Sequence, residues 1–131
     1  MRNLNREDLV NILYGAAILG TGGGGSLTEG IEMIDEALAA GKTFTLASFD
    51  EMDPDDIIGT PYACGAISPL TEEEKRKFSR LPDFEKEHYN MALEQMEAYL
   101  GKPVKACIST ELGGGNTAKA MYVAATTGKL I

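Results

Sequence analysis

Glu111 has the neighbours in this chain that most favour chemistry. It heads the run Glu111-Leu112-Gly113-Gly114-Gly115-Asn116, directly after an apolar stretch, and ligands of layered α/β sheets bind beyond the carboxyl ends of strands. A carboxylate beside glycine backbone and a helix start can act as general base, metal ligand or acceptor for a substrate N–H. It can equally favour the helix dipole or lie solvated. Asn116 can orient a substrate carbonyl through its amide N–H or cap the helix that follows. A second glycine run, Thr21-Gly22-Gly23-Gly24-Gly25-Ser26, also leads into a helix-like segment. Glycine permits positive φ and close backbone approach, and the N–H groups of a helix start attract anionic or electron-rich atoms. Four consecutive glycines cost much ordering entropy, which favours a backbone that something approaches, although a flexible connector is the plain alternative. The candidate substrate-binding set is therefore Gly22, Gly23, Gly24, Gly25, Ser26, Gly113, Gly114 and Asn116, with Glu111 as the catalytic candidate.

Other chemistries fit less well. Gly20, Gly22 and Gly25 satisfy the spacing of a dinucleotide fingerprint, but a helix rather than a strand precedes them and no acidic residue follows at the expected distance, so no nicotinamide or flavin is expected. The acidic run Asp50, Glu51, Asp53, Asp55 and Asp56 lacks the spacing of a calcium loop and reads as a solvated turn. A single histidine, His88, falls off its helix's apolar stripe and makes a zinc site of nitrogen and sulfur ligands hard to assemble, so no metal ligands are assigned and the need for a divalent metal stays open. Cys64 and Cys107 both lie in apolar runs and read as small buried hydrophobes.

The elements that must position these residues follow from periodicity and caps. Asn5 caps a first helix, Leu4 staples onto Leu9, and Leu9, Ile12, Leu13, Ala16 and Leu19 recur at helical spacing up to Gly20. Ser26 to Glu29 forms a capping box for a second helix with Ile31, Ile34 and Leu38 inward, ending at Gly41. Residues 43–49 alternate as a half-exposed strand, and 57–67 suits a strand covered on both faces until Pro61 interrupts it. Thr71 starts a short charged helix. Beyond Pro82 a longer one carries Tyr89, Ala92, Leu93, Met96 and Leu100 as its apolar stripe. Residues 104–109 form a buried strand, and Ala118, Met121, Tyr122 and Ala125 face inward on a helix that Gly128 stops. Strands alternating with helices predict an α/β fold, three layers (α/β/α) around a mixed sheet. Lys129-Leu130-Ile131 reads as the opening of a further strand, so the chain looks truncated at its C-terminus.

At 131 residues the chain has room for one core, and residues 1–131 are taken as a single domain. A net charge of −8 argues against nucleic acid, because no basic stripe is present to neutralise phosphates. No apolar run reaches membrane-spanning length and the N-terminal segment is too polar for a signal peptide, so a cytoplasmic protein without a membrane partner is expected.

Three stretches together, Gly15-Ala16-Ala17-Ile18-Leu19-Gly20-Thr21-Gly22-Gly23-Gly24-Gly25, Tyr99-Leu100-Gly101-Lys102-Pro103-Val104 and Glu111-Leu112-Gly113-Gly114-Gly115-Asn116-Thr117, resemble the amino-terminal domain of the DUF917 family of S-methyl thiohydantoin desulfurase-like proteins, a family discussed beside hydantoinases and oxoprolinases. The resemblance spans nearly the whole chain. It implies a three-layer α/β/α domain that a β-rich domain follows in full-length relatives, and hydrolysis of a five-membered cyclic amide or thioamide-derived ring with release of a thiol. The matching positions are Gly22 to Gly25, Glu111, Gly113, Gly114 and Asn116. Relatives continue past a position like Ile131 into an acidic strand end and a Gly-Arg-Ala-type segment, and Cys64 stands where a glycine or other small residue is expected.

These observations yield two functional expectations. One is the amino-terminal domain of a hydrolase for hydantoin- or thiohydantoin-type cyclic amides, inactive as this isolated chain. The other is a non-catalytic module that uses the same glycine loops to hold a small metabolite or a second subunit. Both imply a small-molecule partner, and an open sheet edge implies a homo-oligomer.

Overall fold

The computed structural model describes residues 1–65, 68–82 and 87–131. Strand β1 (Arg2–Leu4) leads into helix α1 (Arg6–Leu19), and α2 (Leu27–Ala39) precedes β2 (Phe44–Leu46). After a 3-10 turn at Phe49–Glu51 come β3 (Ile57–Gly59), α3 (Glu72–Phe78), α4 (Glu87–Leu100), β4 (Val104–Cys107) and α5 (Gly114–Thr127). The architecture is mixed α/β, as the alternation of periods predicts.

The caps explain where the helices begin. The Asn5 side chain accepts the Asp8 N–H while the Asp8 carboxylate accepts the Asn5 N–H, closing a capping box on α1. Ser26 Oγ accepts the Glu29 N–H at the start of α2, and Thr71 with Glu74 forms a reciprocal box on α3. Gly128, at φ 72°, ends α5 in the left-handed conformation that glycine adopts at least cost.

Two two-stranded ladders are present. β1 pairs antiparallel with β2, placing Leu4 opposite Phe44, while β3 runs parallel to β4 with a bulge between Ile57 and Ile58. The C-terminal dipeptide joins them. Ile131 N–H donates to Thr45 O and Ile131 O accepts the Ala47 N–H, while Leu130 N–H donates to Lys105 O and Leu130 O accepts the Cys107 N–H. Among the described residues the order is thus β1, β2, residues 130–131, β4, β3, a mixed arrangement in which β1 alone runs antiparallel. The strand expected over 57–67 is confined to Ile57–Gly59. Pro61 has no N–H to offer a ladder, the chain leaves the sheet at Thr60, and residues 66–67 lie outside the described residues.

Helix α5 is the hub. Nearly its whole first three turns are buried, from Gly114 through Ala118 and on to Ala125, as expected of a helix apolar on all sides. It contacts α1, α2, α4, β2 and β4. Leu9, Leu13, Ile34, Ala37, Phe44, Ala118 and Met121 form one core cluster, and Leu93, Val104, Cys107, Val123 and Ala124 form another. Burying Phe44 and its aliphatic neighbours contributes about 1.5–3 kcal/mol for each large side chain.

Several sequence expectations are corrected here. Arg2 to Leu4, ahead of the Asn5 cap, form a strand that sequence periodicity did not announce, held by backbone pairing with β2. Ile12 and Leu19 are exposed, since α1 buries only the narrow stripe of Leu9, Leu13 and Ala16. Of the α4 stripe only Leu93 is buried, while Ala92, Met96 and Leu100 stay exposed beside an open cleft. Cys64 is exposed on the loop after β3 and only Cys107 is in the core.

Two clamps hold the periphery. Arg6 grips Asp35 with two parallel contacts of 2.6 and 2.8 Å, linking α1 to α2. Glu97 Oε1 accepts both the Val104 N–H at 2.7 Å and Lys129 Nζ at 2.6 Å, tying α4 to β4 and to the C-terminal segment. The Lys129 contact, then the Val104 N–H, hold the Glu97 carboxyl below its ordinary value of 4.5. A lowered folded value means stability that is present above the ordinary carboxylate range and lost as pH falls through the folded one. Glu97→Gln is therefore expected to flatten the acid limb of stability below about pH 4.5, as read by urea midpoints across pH.

Candidate functional site

The two glycine clusters meet, and they meet each other. A Cβ on Gly24 would lie 2.1 Å from Leu112 O, and one on Gly113 would lie 2.3 Å from the Gly24 Cα. On Gly30, one turn into α2, it would lie 2.3 Å from Gly114 O, and on Gly114 it would strike the Leu27 backbone at 2.4 Å. The approach of Gly115 to Gly25 is looser, with a Cβ on Gly115 3.0 Å from the Gly25 Cα. These glycines let the backbone of the 20–25 loop and the first turn of α2 lie directly on the first turn of α5, a separation that any side chain would prevent.

The seam also settles how α5 starts. Asn116 is not its N-cap: the helix begins at Gly114, with Gly113 in the cap position. The acceptor that the Asn116 side chain was expected to supply comes from the Gly24 carbonyl, which takes the Asn116 N–H at 2.7 Å. The Asn116 side chain is freed for another task. Its Oδ1 accepts the Ala63 N–H at 3.1 Å and so fastens the loop after β3 to α5. Beside it, Ser109 Oγ and Thr117 Oγ1 lie 3.2 Å apart at the carboxyl end of β4.

The sequence-derived site residues therefore separate into two groups. Gly24, Gly25, Gly113 and Gly114 lie in the seam, Asn116 braces the neighbouring loop, and the Ser26 hydroxyl caps α2. Gly22 and Gly23 are exposed, and a Cβ on Gly22 would meet nothing within 4 Å. Gly22 has φ 96°, and its neighbour Thr21 takes φ 49°, a left-handed value that costs a β-branched residue on the order of 1 kcal/mol. Glu111 is exposed on the turn between β4 and the seam. Gly22, Gly23 and Glu111 thus stay exposed outside the closed glycine contact.

Two clefts flank α4, and Tyr89 is a wall of both. The first, about 220 Å³, lies between α4 and the loop after β3 and is lined by Pro61, Tyr62, Ala92, Leu93, Met96 and Val104. The second, about 250 Å³, is bounded by Glu29, Glu32 and Met33 of α2, His88 of α4, and Gly115 and Lys119 of α5. Lys119 Nζ stands 5.9 Å from the centre of the Tyr89 ring. Burial, and then the nearby Glu29 carboxylate, push the Tyr89 hydroxyl above its ordinary value of 10. Sequence reasoning singled out none of Glu29, Glu32, Tyr62 and Lys119. The available signal was Gly30, a glycine inside an otherwise regular helix, where its cost of about 1 kcal/mol relative to alanine calls for a packing reason.

Among the described residues no group of three or more histidine, cysteine, aspartate or glutamate side chains is placed to hold a metal ion. The acidic run folds into local turns, with Glu51 accepting the Ser48 N–H and Asp56 accepting the Asp53 N–H. No helix among the described residues is long and apolar enough to cross a membrane.

A family model described as S-Me-THD-like, N-terminal domain, matches residues 7–131. The chain belongs to that family, and the match extends from the first turn of α1 to the C-terminal residue. No curated protein and no solved structure matches.

Two of these observations yield direct tests. Gly30→Ala is expected to cost about 3 kcal/mol or more, because the added carbon meets the Gly114 backbone, whereas Gly15→Ala, with nothing within 4 Å, is expected to gain about 0.5–1 kcal/mol. Chemical denaturation of the two variants measures the contrast. Burial lifts the Cys107 thiol to about 11, while Cys64 is exposed. Ellman's reagent at neutral pH is expected to titrate one thiol quickly and the second only on unfolding; two fast thiols would contradict the placement of Cys107.

Proposed function

We propose that this S-Me-THD-like domain contributes one wall of the active site of a hydrolase acting on hydantoin- or thiohydantoin-type cyclic amides, and that other segments complete the site. What supports the reading is the convergence of the two glycine clusters beside the carboxyl ends of the parallel strands β3 and β4, where α/β proteins place ligands. Convergence leaves Gly22 and Gly23 with accessible backbone and Glu111 with an accessible carboxylate. In this role Glu111 accepts a ring N–H or draws a proton from the attacking water, and the Gly22 N–H stabilises negative charge that develops on the ring heteroatom, the Gly23 N–H being bound to Gly20 O at 2.8 Å. The packed glycines contribute rigidity, since a seam with no side chains to rearrange fixes the position of its neighbours.

A non-catalytic binding module is favoured by a different observation. Glu111 lines neither cleft beside α4, and one N–H of the α5 start is already taken by Gly24. In that reading the domain holds a small molecule without transforming it.

The two readings separate on one substitution. In a protein that carries this domain together with the segments completing the site, Glu111→Gln is expected to reduce turnover of a thiohydantoin by at least about 100-fold with an unchanged melting temperature, because the residue is exposed. Turnover within a few-fold of the parent removes Glu111 from the mechanism, whereas a parent that binds the thiohydantoin without turning it over leaves the binding module.

A further inference from the structure

The stripe on α4 is apolar at helical spacing, yet Met96 is 52% exposed and Tyr62, across the first cleft, is 50% exposed. Large apolar groups facing each other across a cleft without closing it leave a recess suited to an apolar ligand group. On the far side of Tyr89 the character of the surface reverses. Glu29 and Glu32 project from successive positions on one face of α2, and Lys119 rises from α5 opposite them, over a floor made by Gly30 and Gly115 of the glycine seam.

One aromatic ring thus divides an apolar recess from one that carries two carboxylates and an ammonium. Matching chemistry is a small molecule with a cationic nitrogen for Glu29 and Glu32, an anionic oxygen for Lys119, and an apolar group that passes Tyr89 into the recess of Tyr62 and Met96. Each cleft is smaller than the roughly 300–1,000 Å³ typical of drug-sized ligands, which limits the ligand to metabolite size. We infer that the groove astride Tyr89 binds a free α-amino acid with an aromatic or large aliphatic side chain. This assignment does not involve Glu111 and stands apart from the hydrolase reading.

Isothermal calorimetry on the 131-residue chain, with L-phenylalanine, phenethylamine and phenylacetate as probes, tests the assignment. L-Phenylalanine is expected to bind saturably and more tightly than either single-charge probe. Lys119→Gln is expected to weaken phenylalanine about tenfold and leave phenethylamine unchanged, since a hydrogen bond between charged groups is worth about that factor or more. Glu29→Gln is expected to weaken both ammonium-bearing probes, and Lys119→Arg to restore phenylalanine binding. All these side chains sit at the surface of the groove, so melting temperatures serve as the folding control. Absence of binding to phenylalanine at millimolar concentration, or equal affinity of the parent, Lys119→Gln and Glu29→Gln, overturns the proposal. Glu111→Gln is expected to leave phenylalanine binding unchanged, so failure of the catalytic reading and failure of this one are distinguishable.

Discussion

The contact on which the rest of the structure depends is backbone on backbone. Gly24 against Leu112 and Gly113, Gly30 against Gly114, and Gly25 against Gly115 bring α2 and α5 closer than any pair bearing side chains could come. Close approach gains dispersion and excludes water, and it lets a carbonyl of one loop, Gly24 O, cap the helix of another. The entropy cost of ordering these glycines is offset only because both clusters are ordered in the same contact.

From that seam the architecture follows outward. With its first turn held by the 20–25 loop, α5 runs through the centre of the molecule and is buried on almost every side. Its two faces seed the two core clusters, one shared with α1, α2 and β2, the other with α4 and β4. At its far end Gly128 turns the chain back so that Leu130 and Ile131 can run between β2 and β4. Among the described residues, those two join the β1–β2 ladder to the β3–β4 ladder.

The seam also divides the glycines by task. A glycine run beside a helix start is a ready anion cradle in isolation, but here most of the available backbone faces other backbone. Within the two runs Gly22 alone keeps open space, next to a threonine held in a left-handed conformation. The charged and aromatic groups that enclose a cavity come from elsewhere, around Tyr89, where α2, α4 and α5 approach one another without closing.

Local signals were legible in the sequence because they act over a few residues. The caps at Asn5, Ser26 and Thr71, the stops at Gly20, Gly41 and Gly128, and the break at Pro61 depend on hydrogen bonds and backbone angles within a turn, and the structure shows them where composition and period put them. The family resemblance was legible too, read from the glycine motifs in order along the chain, and the family model matches residues 7–131. Tertiary packing decided what local rules leave open. Asn116 gave up its capping role because a carbonyl more than ninety residues away arrived first, a stripe on α4 stayed uncovered because only Leu93 reaches the core, and Cys64 went to the surface with the loop that Pro61 released from the sheet. Glycine spacing announces that something must come close. Which atom fills the space, backbone or ligand, is fixed only when distant segments are brought together.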